Sequence, residues 1–243
     1  MVNSKIDNLS EKSEALVNLY KELEKNYEKL PLATKVDDIV PGEGPADAKI
    51  LFIGEAPGYY ETVERRPFVG RSGKFFRKTL TEEAGIQGSE VYISNIVKVR
   101  PPENRDPTPE EIVAFKPVLD REIEIINPKL IITLGRFSMA KFLMNVKISQ
   151  VHGRLHKVRW PVTKITNENL DKGVPESEAN DKQVKEERDL FVLPMYHPAA
   201  GLRSGKMRES FIADFKKIPK IIEWIENQKE TESFKSTVEE YLF

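Results

Sequence analysis

The sequence contains no cysteine, and this absence excludes two classes of site. Disulfide frameworks and metals held by thiolates both need cysteine side chains. Histidine is also scarce, with three residues in a chain of 243. His152 and His156 have no acidic partners at metal-binding spacing, so we interpret them as structural or surface side chains. The sequence therefore predicts neither a metal site nor another cofactor.

Long apolar runs and an excess of one charge are missing as well. No run approaches the length of a transmembrane helix, and the N-terminus lacks the apolar core of a secretory leader. We therefore expect a soluble protein of the cytoplasm. The formal net charge is −1, so there is no bulk positive field, and a nucleic-acid ligand would require a local basic patch.

Glycine is present but unevenly distributed. Four of the 13 glycines lie within residues 54–76, directly after the apolar run KILFI. Glycine permits sharp turns and a close approach of the backbone to a ligand. A strand that ends in such a turn, with a helix soon after it, is where open α/β sheets bind ligands. We interpret residues 54–76 as an active-site loop.

Short apolar runs alternate with segments of helical periodicity along most of the chain. The predicted strands are residues 49–54, 91–97, 129–135 and 190–198, and the predicted helices are residues 9–30, 72–85, 108–127, 136–144 and 207–227. This alternation is typical of a parallel sheet with helices on both faces. We predict an α/β fold, a single-domain, three-layer α/β/α structure with a central, mainly parallel four-stranded sheet.

Two polar segments interrupt this pattern. Residues 161–189 are rich in Asn, Asp, Glu and Lys, and they predict a long surface insertion within a domain of residues 1–227. Residues 228–243 form a polar tail that ends in apolar residues.

Four motifs follow one another along the chain, at or just after the predicted strand ends. They are GEAPG (54–58) with Glu61 three residues on, RPFVGRSG (66–73), SNIVK (94–98) followed by RPPENR (100–105), and HPAAGLR (197–203). In this order they resemble the family 4 uracil-DNA glycosylases, over about residues 20–220. The resemblance implies a monofunctional DNA glycosylase that flips uracil out of DNA and hydrolyses its N-glycosidic bond, which initiates base excision repair.

The resemblance assigns a base-binding pocket, and side-chain chemistry agrees with it. The Phe68 ring offers a face on which uracil can stack. The Asn95 amide both donates and accepts, so it can read the O4 and N3 edge of uracil and discriminate against cytosine. An asparagine at a strand end can instead simply cap a loop. Gly54 and Ala56 let the backbone approach the base.

Cleavage of the N1–C1′ bond develops positive charge on the sugar and negative charge on the leaving uracil. His197 is the candidate donor to uracil O2. Glu55, or a water held by it, is the candidate that positions the attacking nucleophile and favours the cation. Glu61 is a second candidate carboxylate, with a stronger structural alternative.

The GLRSGK segment is expected to enter the minor groove of DNA. Leu202 is the candidate wedge that fills the vacated stack, and Arg203, Lys206 and Arg71 are candidate phosphate contacts. A local basic face would reconcile DNA binding with the neutral net charge. Further candidates for that face are Arg66, Lys74, Lys98, Arg100 and Arg105. Each of these charges can also be an ordinary solvated side chain.

The sequence departs from the family at the four cysteines that normally hold an iron–sulfur cluster. By their flanking residues, the ligand positions fall on Tyr27, Leu30, Val99 and Phe115. All four replacements are apolar, and apolar packing can fill the volume of a lost cluster. We expect these side chains to meet in a small apolar cluster and the protein to contain no iron.

Other functional classes remain as alternatives. The chain could be a catalytically inactive nucleic-acid-binding relative, a glycosylase with a different deaminated-base preference, or a hydrolase of free nucleotides. Retention of Glu55, Asn95 and His197 argues against the first class, and the Leu-Arg wedge argues against the last. The expected partner is uracil-containing DNA, bound by a monomer at the nucleoid of a prokaryotic cell.

The tail segment KSTVEEYLF (235–243) resembles the peptide by which repair proteins bind the sliding clamp (PCNA). Val238 supplies the aliphatic plug, and Tyr241, Leu242 and Phe243 supply the large apolar end. The first position carries lysine where glutamine is usual. Residues 238, 241 and 242 share one face of a helical turn, so they can enter one hydrophobic pocket. The alternative is a tail that folds back onto its own domain.

Overall fold

Four parallel strands and one antiparallel edge strand form a central sheet. The computed structural model describes residues 2–163 and 185–228. Its strands are β1 (Ile50–Gly54), β2 (Tyr92–Asn95), β3 (Leu130–Leu134), β4 (His156–Thr163) and β5 (Lys185–Met195). They lie in the order β2-β1-β3-β5-β4, in which β4 runs antiparallel to β5 and the other neighbours are parallel. The predicted α/β fold with a mainly parallel sheet is confirmed.

The antiparallel edge strand β4 is an element that the sequence pattern does not predict. It pairs with β5 along a ladder from His156↔Val192 to Thr163↔Lys185. Its composition, with Pro161 among charged residues, suits an edge strand, where proline is tolerated. The flanks of the polar segment 161–189 therefore belong to this ladder, and residues 164–184 lie outside the described residues.

Helices cover the sheet, and most of them follow predicted signals. The helices of the described residues are α1 (Val2–Lys25), α2 (Tyr59–Glu64), α3 (Arg71–Ala84), α4 (Pro109–Ile126), α5 (Arg136–Ala140), α6 (Ile148–Val151), α7 (Pro198–Arg203), α8 (Gly205–Phe215) and α9 (Ile218–Asn227). None of them combines the length and the apolar composition needed to cross a bilayer. The predicted helix 207–227 is divided into α8 and α9, because Pro219 lacks the N–H that a continuous helix would use.

Residues of the central strands alternate between two hydrophobic clusters, as the two-residue period of a strand requires. In β1, Leu51 and Ile53 belong to a cluster with α1 and α4. Ile50 and Phe52 belong to a second cluster with α3, α8 and α9. Helices thus cover both faces of the sheet, and this gives the three layers that the sequence predicts.

The parallel strands direct their carboxyl ends to one edge of the sheet. Gly54 at the end of β1 is in register with Asn95 at the end of β2. Gly135 follows β3, and His197 follows β5 by two residues. An open α/β sheet binds its ligands at the carboxyl ends of its strands, so these residues mark the expected binding site.

Candidate active site

A cleft of about 850 Å³ opens at the carboxyl ends of the parallel strands. The sequence-predicted residues that line it are Glu55, Ala56, Glu61, Phe68, Arg71, Asn95, His197, Leu202 and Arg203. Gly54 contributes by its lack of a side chain, as described below. Lys206 is exposed at the start of α8 and is not part of the cleft wall.

Gly54 allows two of these side chains to come together. A Cβ atom at this position would lie 2.3 Å from Oδ1 of Asn95 and 2.6 Å from Cζ of Phe68. Contacts that short do not occur between nonbonded atoms, so any larger residue would displace the amide or the ring. The glycine that ends β1 is therefore required by the convergence of Phe68 and Asn95.

Phe68 sits in a strained backbone conformation at the cleft. Its φ is 56°, in the left-handed region that bulky residues seldom adopt. The residue is 5 % exposed, and its ring centroid lies 5.1 Å from that of Phe76 and 6.1 Å from that of His197. Strain of this kind persists only when neighbouring groups hold it.

Arg77 of α3 donates hydrogen bonds that hold the backbone at Phe68 in this conformation. Its Nε donates to the carbonyl of Phe68 at 3.0 Å, and its Nη2 donates to the carbonyl of Pro67 at 2.9 Å. The same Nη2 pairs with Glu43 at 2.9 Å. Sequence reasoning missed Arg77, because an arginine inside a helix gives no sign that its acceptors lie nine and ten residues earlier.

Asn95 presents a buried acceptor at the cleft. The residue is 4 % exposed, and its Oδ1 has no hydrogen-bond partner within residues 2–163 and 185–228. Leaving such an atom unpaired is costly, and in a cleft it is typical of a group that waits for a ligand. The main-chain oxygen of Asn95 is engaged, since it accepts a hydrogen bond from Nζ of Lys98 at 2.8 Å.

A fully buried ion pair between Lys98 and Glu122 lies behind Asn95. Three hydroxyl groups also donate to the Glu122 carboxylate, those of Tyr20, Tyr92 and Ser94. Burial lowers the pKa of the Lys98 ammonium, and the charge of Glu122 opposes that shift. Burial, together with the Glu122 charge, raises the pKa of Tyr20 well above its usual range. A buried pair is tolerated when its remaining polar groups are paired in this way.

The buried pair corrects one expectation. Lys98 was predicted among the basic residues that could face DNA, and this prediction is wrong because Lys98 is 0 % exposed and neutralised by Glu122. The side chain supports the β2 end from inside the protein instead.

Glu55 follows β1 and lies half-buried in the cleft wall. Burial raises the pKa of its carboxyl group above the ordinary value, the charge of Asp106 raises it further, and the charge of Arg136 opposes both. Asp106 itself forms an ion pair with Arg136. Inside the described ranges Glu55 has no ion pair of its own, so its carboxylate is available to a water or a ligand in the cleft.

His197 is the N-cap of α7, and the cap fixes its tautomer. Its Nδ1 accepts a hydrogen bond from the backbone N–H of Ala199 at 3.3 Å. Burial, with a smaller contribution from Arg203, lowers the pKa of His197 to about 4, against the opposing charge of Glu61. The imidazole is therefore neutral near pH 7, and because Nδ1 accepts, Nε2 carries the hydrogen and is a donor.

Glu61 has its carboxylate engaged by the glycine loop. Its Oε1 accepts from the backbone N–H groups of Gly70 at 2.8 Å and Val69 at 3.1 Å, and its Oε2 accepts from Gly58 at 3.2 Å. A Cβ atom at Gly58 would lie 2.8 Å from Oε2 of Glu61. These contacts favour the structural interpretation of Glu61, which ties the two ends of the loop together.

The rim of the cleft carries an exposed leucine among unpaired basic groups. Leu202 lines the cleft and is 41 % exposed, so its side chain is accessible to a partner at the rim. Arg71, Arg203 and Lys206 are exposed and form no ion pair with a carboxylate in the part of the chain that the structure describes. Two other predicted basic residues are already paired, Arg66 with Glu43 and Arg105 with Glu111.

The positions that correspond to the family's cluster ligands are occupied by packed apolar side chains. Val99 and Phe115 are buried in the α1–α4 cluster, and Tyr27 and Leu30 pack against it. This cluster is larger than the small group that we expected. Since none of the four side chains offers a thiolate, these residues do not fit an iron–sulfur cluster. The described residues contain no group of three or more His, Asp or Glu side chains placed to hold a metal ion.

Comparison with known sequences connects this cleft to a family. The sequence profile of the uracil DNA glycosylase superfamily matches residues 41–218. The chain is 42 % identical over 181 residues to the type-4 uracil-DNA glycosylase of Sulfurisphaera tokodaii, covering 74 % of this chain and 72 % of that one. It is 40 % identical over 186 residues to the type-4 enzyme of Archaeoglobus fulgidus, covering 74 % and 79 %. It is 42 % identical over 147 residues to that of Thermotoga maritima, covering 60 % and 76 %.

Proposed function

The chain belongs to the uracil DNA glycosylase superfamily, and from this membership we infer that it is a uracil-DNA glycosylase, an enzyme that initiates base excision repair. It acts on uracil in DNA and hydrolyses the bond between uracil N1 and the sugar C1′. The observation that carries this inference to the atomic level is the buried Oδ1 of Asn95, which has no hydrogen-bond partner among the described residues and lies with the Phe68 ring next to Gly54.

Asn95 selects uracil in this proposal. Its Oδ1 accepts the hydrogen of uracil N3, its Nδ2 donates to O4, and the base stacks on Phe68. Gly54 and Ala56 let the base come close to the end of β1. Cytosine presents an acceptor at N3 and a donor at N4, so the same amide would leave buried polar groups unpaired at a cost of about 1–3 kcal/mol for each.

Glu55 and His197 divide the chemistry between them. A water held by Glu55 attacks C1′ as the electron pair of the N1–C1′ bond moves onto uracil, and the carboxylate charge favours the cationic sugar. The Nε2–H of His197 donates to uracil O2, where negative charge develops. The water oxygen ends on C1′ as a hydroxyl group, the proton that the water loses passes to the Glu55 carboxylate and from there to solvent, and the uracil anion takes up a proton from solvent.

The rim holds the DNA while the base is extruded. Leu202 fills the vacated position in the base stack, and Arg71, Arg203 and Lys206 contact phosphates. We assign this activity to a domain of residues 1–227 that works as a monomer in the cytoplasm, at the nucleoid of a prokaryotic cell. Val238, Tyr241, Leu242 and Phe243 lie outside the described residues, and we propose that this tail segment binds the sliding clamp.

Single-turnover excision from a uracil-containing oligonucleotide, read by alkaline cleavage of the abasic product, tests the catalytic assignment. His197→Ala is expected to lower the rate by about 10²–10³, the usual effect of removing an oxyanion donor. Glu55→Ala is expected to lower it by about 10²–10⁴, the range for a positioned acid or base. Glu64→Ala, an exposed carboxylate outside the cleft wall, is the matched control and should retain the wild-type rate. Wild-type rates in both cleft variants would refute the assignment.

A further inference from the structure

Two adjacent tyrosines stand exposed at the mouth of the cleft. Tyr59 and Tyr60 open α2 directly after the GEAPG loop, and both line the cleft. They are 58 % and 59 % exposed. Large aromatic side chains normally contribute to cores or interfaces, so two exposed rings at the edge of a binding cleft point to a partner that covers them.

The two tyrosine rings contact each other edge to face, and the Tyr59 ring is also contacted by Arg100. The Tyr59 and Tyr60 centroids are 5.4 Å apart, with the ring planes at 80° to each other. The guanidinium carbon of Arg100 lies 5.5 Å from the Tyr59 centroid, within the range of a cation–π contact. Arg100 is itself held, because its Nε donates to Oδ1 of Asn104 at 2.8 Å. Asn104 also lines the cleft, so this support is part of the same wall.

The charge of Arg100 is available as well. It forms no ion pair with a carboxylate among the residues described, whereas its loop neighbour Arg105 is paired with Glu111. A guanidinium that contacts an aromatic ring without an acidic partner is suited to a phosphate beside a stacked base.

We propose that Tyr59 and Tyr60 form a stacking platform for an unpaired nucleobase next to the flipped uracil, with Arg100 contacting the phosphate of that nucleotide. Because the ring planes are at 80° to each other, the base stacks on the face of one ring and meets the other ring at its edge. The proposal rests on the uracil-DNA glycosylase function and extends its binding site along the strand. Because the rings are continuous with the cleft that receives the uracil, the occupant is a neighbouring base of the same DNA strand. Every base has a π-face, so the platform tolerates any sequence and favours single-stranded or locally melted DNA.

Fluorescence of 2-aminopurine placed beside a non-hydrolysable 2′-fluorinated deoxyuridine tests the platform in single-stranded DNA. Stacking on tyrosine is expected to quench the probe when the full-length protein binds. Tyr59→Leu/Tyr60→Leu removes both rings while keeping apolar bulk, and it should abolish the quenching and weaken binding of the oligonucleotide about tenfold. Tyr59→Phe/Tyr60→Phe keeps the rings and should retain both properties.

Val63→Ala is the matched control, because Val63 lies on the same helix and is 64 % exposed but does not line the cleft. It should bind and quench as the wild-type protein does. Quenching and affinity unchanged in the double leucine variant, with its thermal unfolding also unchanged, would overturn the platform. Uracil release by the wild-type protein is measured separately on a cleavable oligonucleotide. Its absence would overturn the proposed function while the stacking comparison still stands, and absence of any DNA binding would overturn both.

Discussion

At the scale of single residues, the environment of Glu55 predicts a pH dependence. In the proposed mechanism Glu55 must be ionised to hold the attacking water, so we expect excision to slow as the pH falls through its pKa. Burial and Asp106 raise that pKa, which places the loss of activity at a higher pH than an ordinary glutamate would. His197, with its pKa lowered to about 4, is neutral well above that pH and gains a proton only at the acidic end of the profile.

Asp106→Asn is therefore expected to move the acidic limb of the rate profile to lower pH. The substitution removes the neighbouring negative charge and releases Arg136, and both changes favour ionised Glu55. Single-turnover rates measured over roughly pH 4 to 8 give the shift. Glu103→Gln, in the same loop but outside the cleft wall, is the control, and a limb that stays in place in Asp106→Asn would contradict the electrostatic coupling.

The residues of the site differ in how far the sequence reveals them. Asn95 ends a strand and His197 directly precedes Pro198, so their place in the pattern and the family resemblance were enough to single them out. Arg77 and Lys98 form hydrogen bonds with residues of other elements, and the sequence around them does not indicate which residues these are. Lys98 was accordingly assigned to the surface, although its Glu122 partner lies 24 residues away in the core.

At the scale of elements, the Lys98–Glu122 pair joins the loop that follows β2 to α4 and predicts a distinctive mutant series. Lys98→Met leaves the Glu122 carboxylate buried without its counterion, and such a change costs about 3–5 kcal/mol of unfolding free energy. Lys98→Met/Glu122→Gln removes the stranded charge but keeps an acceptor for the surrounding hydroxyls. The double variant should therefore be more stable than Lys98→Met alone.

Urea denaturation measures the series, with unfolding followed by circular dichroism. Lys78→Met is the matched control, because Lys78 pairs with Glu82 at the surface, and exposed pairs contribute about 0–1 kcal/mol. If Lys98→Met were as mild as Lys78→Met, the pair would not be the support for β2 that its burial indicates.

Some element boundaries can be predicted from the residues next to them, and others cannot. Thr108 accepts a hydrogen bond from the backbone N–H of Glu111, and Gly85 ends α3 in the left-handed conformation, so the sequence around each boundary contains its own explanation. Strand β4 has no such signal, because its polar, proline-containing stretch becomes a strand only through pairing with β5. The sequence therefore predicts the parallel strands but not the edge strand that extends the sheet.

At the scale of the whole molecule, a neutral chain presents a local basic rim beside the cleft. Many carboxylates outside this rim form ion pairs with basic side chains. Glu43, for example, pairs with both Arg66 and Arg77. The rim residues Arg71 and Arg203 stay without such partners in the described part of the chain. Net charge is thus a poor guide to the ligand, and the distribution of paired and unpaired charges is the better one.

The tail carries a prediction of its own at this scale. Deletion of residues 235–243 is expected to abolish binding to a trimeric sliding clamp from the same source while leaving uracil excision unchanged. In the intact protein, clamp binding by the tail would hold the enzyme near DNA at a raised effective concentration. Calorimetry with the 235–243 peptide measures the interaction, a peptide with Val238→Ala and Tyr241→Ala is the control, and no heat at high micromolar wild-type peptide would end the hypothesis.

The apolar side chains at the four positions that correspond to the cluster ligands affect which inorganic components the protein requires for folding. A thiolate-held centre must be supplied with iron and sulfide, and its sulfur ligands must be kept from oxidation. Here Val99 and Phe115 are buried in the core beside α1 and α4, and Tyr27 and Leu30 pack on it, with no sulfur ligand among them. This region needs no sulfur ligand to be packed, so we expect uracil excision by this protein not to depend on the supply of iron and sulfide.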